Sequence, residues 1–137
     1  TEALALADAF VDDGVLGGWK GRRAGAKVYN ATAGAVAAEP PVVLVDRNTL
    51  GVGEILAAAL QRNGAVVVGE KTVGHAPYMS LVRDGDVAVG MPVGLWLRGD
   101  DETITDNGVE PDELVEGFDP EGDADSILAR ALEVLSR

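Results

Sequence analysis

Two short uncharged runs, Val42 to Val45 and Ala65 to Val68, bracket a stretch with helical spacing, and this arrangement narrows the folds open to the chain more than any other feature. Continuous β-branched runs of this kind mark buried strands covered on both faces, as in parallel sheets. Between them, Glu54 to Arg62 places Ile55, Leu56, Ala59 and Leu60 on one helical stripe, and Asn63-Gly64 supplies a left-handed stop. Strand, turn, helix and strand in that order form a βαβ unit with an expected right-handed crossover, so the fold class is α/β. The chain has 137 residues, and a chain of that size buries about two thirds of its unfolded surface. Residues 1–137 are therefore expected to form a single domain or part of one.

The flanks add further elements. Leu4, Leu6, Ala7, Phe10 and Val11 have helical spacing that stops at Asp12-Asp13-Gly14. Gly14 to Gly25 holds five glycines, with Lys20, Arg22 and Arg23 around Trp19. It reads as an exposed loop or loose hairpin carrying a solvated basic patch. A short strand near Ala26 to Ala31 and an Ala- and Gly-rich connector closed by Pro40-Pro41 follow. Met79 to Val82 and Val87 to Val89 alternate around Asp84-Gly85 like an antiparallel hairpin, and Pro92 to Leu97 continues as another strand or a bent extension. Ile127, Leu128, Ala131, Leu132 and Leu135 define a final amphipathic helix, capped by Asp123 or Asp125 and docked by its leucines.

Charge excludes some partners. The chain carries 23 acids against 11 bases, a net charge of −12. Affinity for a nucleic-acid backbone needs clustered Lys and Arg, so a nucleic-acid partner is not expected. Residues 1–98 hold ten acids and nine bases, whereas residues 99–137 hold thirteen and two, which predicts a solvated acidic loop before the last helix. The longest uncharged stretches, Val28 to Ala38 and Val87 to Leu97, are about half of what a membrane helix requires. There is no cysteine, which removes disulfides and thiolate metal sites. The opening Thr1-Glu2-Ala3-Leu4 lacks Met and a signal-type apolar region, and reads as a processed product or an excised piece.

The residues alone offer several candidate chemistries. Gly51-Val52-Gly53, between a strand and a helix start and with Glu70 19 residues beyond Gly51, resembles a dinucleotide fingerprint. However, Leu56 stands at the third glycine position and Arg47 to Leu50 lengthen the turn. A Ser80–His75 dyad needs a contact that a strand from Met79 onward gives no reason to expect. His75 has no neighbouring His or Cys to share a metal, so neither metal nor cofactor is expected. A Thr49–Lys71 pair is a further candidate dyad.

The order of blocks carries more than any single motif. Pro41-Val-Val-Leu-Val-Asp46, Thr49 to Leu60, Val68-Gly-Glu-Lys-Thr-Val-Gly74, Asp84-Gly85 and Gly108-Val-Glu-Pro-Asp112 follow one another between an opening helix, Glu2 to Val11, and a closing helix, Asp123 to Leu135. In this order they resemble the carboxyl-terminal processing, or tail-specific, serine peptidases. The resemblance implies a crotonase-like α/β core and peptide hydrolysis by a Ser-Lys dyad. It places the nucleophile at Gly51, the second small residue of the Ser-Ala-Ser at Gly53, the base at His75 and a usual glutamine at Met79. None of the catalytic side chains is present at these positions. The resemblance thus implies a catalytically degenerate peptidase-like domain that binds peptide or serves as scaffold, with Gly51, Val52, Gly53 and His75 as peptide-binding candidates.

Two other readings stay open: an active peptidase whose catalytic residues lie elsewhere in a longer parent chain, and nucleotide or small-ligand binding at Gly51 to Gly53. By the same resemblance, the partner is a peptide or unfolded protein segment and the location is extracytoplasmic, periplasmic or at the cell surface. Loss of a neighbouring strand would expose an edge that invites homo-oligomerisation.

Overall fold

A computed structural model describes residues 2–36, 39–99, 101–116 and 125–137. The elements run α1 (Glu2–Asp8), β1 (Val15–Gly21), β2 (Gly25–Asn30), β3 (Val42–Val45), α2 (Val52–Arg62), β4 (Val66–Gly69), β5 (Pro77–Asp84), β6 (Val87–Leu97), β7 (Glu113–Leu114) and α3 (Ser126–Leu135). They build a mixed α/β fold with two sheets. One is antiparallel in the order β2-β1-β6-β5, and the other is parallel in the order β3-β4-β7.

The βαβ unit is present: β3 and β4 pair in parallel from Val42↔Val66 to Val45↔Gly69, with α2 between them. Central β4 is covered on both faces. Val67 faces the main core with Ile55, Ala59 and Leu60 of α2, while its neighbour Val68 packs with Ile127 and Ala131 of α3. For β3 the expectation of full cover fails, because it lies at the sheet edge with Leu44 43% exposed. α2 stops at Asn63-Gly64 as the sequence indicates, and the Asn63 amide donates to the carbonyls of Ala59 and Val15, fixing the helix end to β1.

Other expectations change. α1 ends at Asp8, earlier than its apolar spacing suggests. The Asp8 carboxylate accepts bonds from the Thr32 N–H and hydroxyl, and Asp12 accepts from the N–H groups of Gly34 and Ala35, so both tie the chain to the connector after β2. Of the two readings of the glycine-rich segment after Gly14, exposed loop and hairpin, the loop fails and the segment is one arm of a hairpin with β2. It is β1, paired on both sides, with Leu16, Gly17 and Gly18 buried. The hairpin around Asp84-Gly85 is as expected, and Pro92 to Leu97 is the continuation of one long strand, β6.

The described part of the acidic segment is only partly solvated; its residues 100 and 117–124 lie outside the described residues. Ile104 and Val109 are buried in the core, and Glu113–Leu114 adds a strand to β4. Asp125 caps α3, its carboxylate accepting from the Leu128 N–H; Asp123 lies outside the described residues. α3 docks by Ile127 and Ala131, with Val134 half-buried, while Leu128, Leu132 and Leu135 face outward. No helix among the described residues is long and apolar enough to cross a membrane.

Candidate functional site

The site grows from the turn that leads β3 into α2. Gly51, just before the helix, has φ 55° and ψ −112°. Glycine enters this region freely and other residues only under strain. Its N–H donates to the His75 carbonyl oxygen at 3.0 Å and to Oε2 of Glu54 at 3.1 Å. The fold therefore brings together the two positions that the resemblance assigns to nucleophile and base.

Glu54 fastens this arrangement. Its side chain is fully buried. The carboxylate accepts from the Thr72 hydroxyl at 2.6 Å, the Gly74 N–H at 2.6 Å and the His75 N–H at 2.8 Å, in addition to the Gly51 N–H. A buried charge is tolerated only when such donors replace water. Thr72 passes the connection on, since its hydroxyl oxygen accepts from the Val109 N–H at 2.8 Å. One carboxylate thus holds the helix start, the segment after β4 and the segment before β7 in a fixed relation.

Above the turn opens a groove of about 490 Å³, lined by Gly51, Val52, Ile55, His75, Pro77, Tyr78, Met79 and Trp96. A register shift in the β5–β6 pairing between Tyr78 and Met79 accompanies the presence of both consecutive residues on the same groove. The aromatic wall is braced. Trp19 stacks on Tyr78 with ring centroids 4.1 Å apart and planes at 6°, and Trp96 meets Tyr78 edge-on at 5.8 Å. Among the described residues, no serine, threonine or lysine lines this groove.

Of the candidates read from sequence, Gly51, Val52, His75 and Met79 meet here, and Gly53 lies one step into the helix. The others do not converge. Ser80 lines a different concavity from His75. The Thr49 hydroxyl exchanges bonds with Asp46, while Lys71 pairs with Glu110 at 3.0 Å. Glu70 pairs with Arg47 rather than reaching the glycine turn. At that turn the Gly51 N–H is taken and the Gly53 N–H donates to the Leu50 carbonyl. With the Glu54 carboxylate beside it, a phosphate would meet negative charge and few free donors. Among the described residues no group of three or more His, Cys, Asp or Glu could hold a metal ion. Sequence reasoning missed the role of Glu54 and the groove's Tyr78 and Trp96. The only early signal for Glu54 was an acid three residues after a glycine at a helix start, half of a capping box.

The sequence profile of peptidase family S41 matches residues 1–115. A carboxyl-terminal-processing protease of Synechocystis sp. is 39% identical over 90 residues, 64% of this chain and 21% of that protein. The carboxy-terminal processing protease CtpA of Bacillus subtilis is 31% identical over 113 residues, 80% of this chain and 24% of that protein. The chain thus spans between a fifth and a quarter of the length of these relatives. Among solved structures, a photosystem II D1 C-terminal processing protease superposes with a TM-score of 0.74 at 30% identity, covering 87% of this chain and 31% of that one. A lipoprotein from Streptococcus agalactiae shares the fold at 13% identity with a TM-score of 0.74, covering 98% of this chain and 48% of that one.

Proposed function

Because this chain belongs to peptidase family S41, we propose that residues 1–137 are the C-terminal part of a tail-specific-peptidase-like core that holds peptide without cutting it. The observation that carries this reading is the pairing of Gly51 with His75 at the mouth of an apolar groove, where the family resemblance calls for a serine and a lysine. Gly51 has no atom to attack a carbonyl, and among the described residues no serine or threonine lines the groove with His75. Removing a nucleophile costs many powers of ten in rate and leaves only what binding and an oxyanion site contribute.

Binding has the parts it needs. β5 is the outer strand of its sheet, and among the described residues nothing pairs with its free edge. An extended peptide adds to such an edge through main-chain hydrogen bonds, and side-chain pockets then set preference. Met79, Tyr78 and Trp96 favour an apolar or aromatic side chain in the groove. The partner is therefore an apolar peptide or unfolded segment, met outside the cytoplasm as the family resemblance implies.

The test is isothermal titration of the chain with apolar C-terminal peptides, alongside mass spectrometry of an unfolded protein incubated with the same preparation. Heat of binding without cuts is expected. Cuts that persist through purification would overturn the degenerate reading, and absent heat would overturn peptide holding.

A further inference from the structure

We propose that a second concavity, adjoining the groove along β5, is a carboxylate-binding subsite for the same extended peptide; this rests on the peptide-holding reading above. The concavity has a volume of about 550 Å³ and is bordered by Arg22, Arg23, Ala24, Ser80 and Val93. Arg22 and Arg23 form the turn between β1 and β2. That turn is pressed onto β6, because a Cβ on Gly21 would lie only 2.2 Å from the Val93 carbonyl oxygen. Only glycine permits the approach that seats both arginines beside Val93 and Ser80.

Charge accounting identifies the ligand. The chain has twice as many acids as bases, and its cations are largely paired. Lys20 meets Asp101, Arg47 meets Glu70, Lys71 meets Glu110, and Arg130 and Arg137 both meet Glu113. Arg22 and Arg23 make no ion pair among the described residues. Two adjacent guanidiniums beside a hydroxyl match a carboxylate, which they bind through paired N–H donors.

Geometry links this subsite to the groove. Tyr78 and Met79 line the groove and Ser80, the next residue of β5, lines the arginine concavity, so the two hollows adjoin along one strand. A peptide paired along β5 therefore runs past both. One apolar residue then enters the groove while an adjacent carboxylate reaches Arg22 and Arg23. That carboxylate is either an acidic side chain or the peptide's own C-terminus.

Three peptides with one apolar anchor decide the matter by isothermal titration: neutral and amidated, amidated with Glu next to the anchor, and neutral with a free C-terminus. At least one carboxylate peptide is expected to bind about tenfold tighter than the neutral one, and the stronger of the two identifies the source. The gain should shrink at high salt and vanish in the Arg22→Ala/Arg23→Ala variant, which keeps its affinity for the neutral peptide. Equal affinities, or a gain that survives in the double variant, would overturn the subsite while leaving the groove reading intact. If no peptide binds, glutarate is titrated and followed by amide NMR. Shifts at Arg22, Arg23 and Ser80 that are lost in the double variant would show a carboxylate site there but overturn its service to a peptide together with the groove; no shifts would overturn the carboxylate site as well.

Discussion

Glu54 is the residue on which the site turns. Its carboxylate serves four donors in a fully buried position, and an amide of the same shape turns one oxygen into a donor facing other donors. Leaving buried donors unmet costs about 1–3 kcal/mol each, so Glu54→Gln is expected to lower unfolding stability by about 2–4 kcal/mol in urea titration. Thr72→Ser, which keeps the hydroxyl, should lose much less. Gly51 makes a different prediction. A Cβ there would find its nearest neighbour, the His75 carbonyl oxygen, at 3.8 Å, so Gly51→Ser meets backbone strain and no clash. A cost of about 1–2 kcal/mol is expected, and a loss above about 4 kcal/mol on thermal unfolding would contradict the conformation described. Block order drew attention to Gly51 and His75, which a backbone hydrogen bond joins. The sequence hid Glu54, because its partners are backbone N–H groups and a threonine some twenty residues away, and no spacing rule records such bonds.

At the level of elements, the indecision over β1 between loop and hairpin and the misreading of α3 have physical causes. Glycines in β1 look like loop punctuation, yet a Cβ on Gly18 would sit 2.6 Å from the Lys27 carbonyl oxygen, so the small residue there serves close strand packing. In α3 the leucines suggest the docking face, but the shallow surface of β3 and β4 accepts Ile127 and Ala131 instead. Ile127→Ala is therefore expected to cost about 2–3 kcal/mol, whereas Leu132→Ala, at a position 57% exposed, should stay within about 0.5 kcal/mol. Equal losses would reverse the assigned face. α3 is also held by charge. Hydrogen bonds from Arg130 and then Arg137 keep the Glu113 carboxyl below its ordinary 4.5. A carboxyl depressed in the folded state stabilises above its unfolded value, and that contribution fades as pH falls through the folded value. Stability of the α3 contact should thus fall as pH drops below about 4.5. Glu113→Gln should flatten this dependence in pH-resolved circular dichroism.

Across the whole molecule, burial is unevenly shared, and that unevenness predicts where the chain opens first. α2 lies in the main hydrophobic cluster and β4 between that cluster and the one under α3, whereas Leu81, Val82, Val87 and Val89 near the β5–β6 tip are each at least half exposed. Local opening follows buried contact, so amides of α2 and β4 are expected to exchange last and those of the hairpin tip among the first. Hairpin and βαβ unit were both readable from alternation and apolar runs, but their relative order of strands was not, since β1 enters between β2 and β6 through contacts far apart in sequence. That order leaves β5 at an edge beside the groove. A peptide that pairs there supplies hydrogen bonds to outward N–H groups of β5 that otherwise meet water. Hydrogen exchange with a saturating apolar peptide should then slow at alternate residues of Pro77–Asp84 and leave the α3 amides unchanged. Protection confined to α3, or spread evenly over the chain, would place the peptide elsewhere.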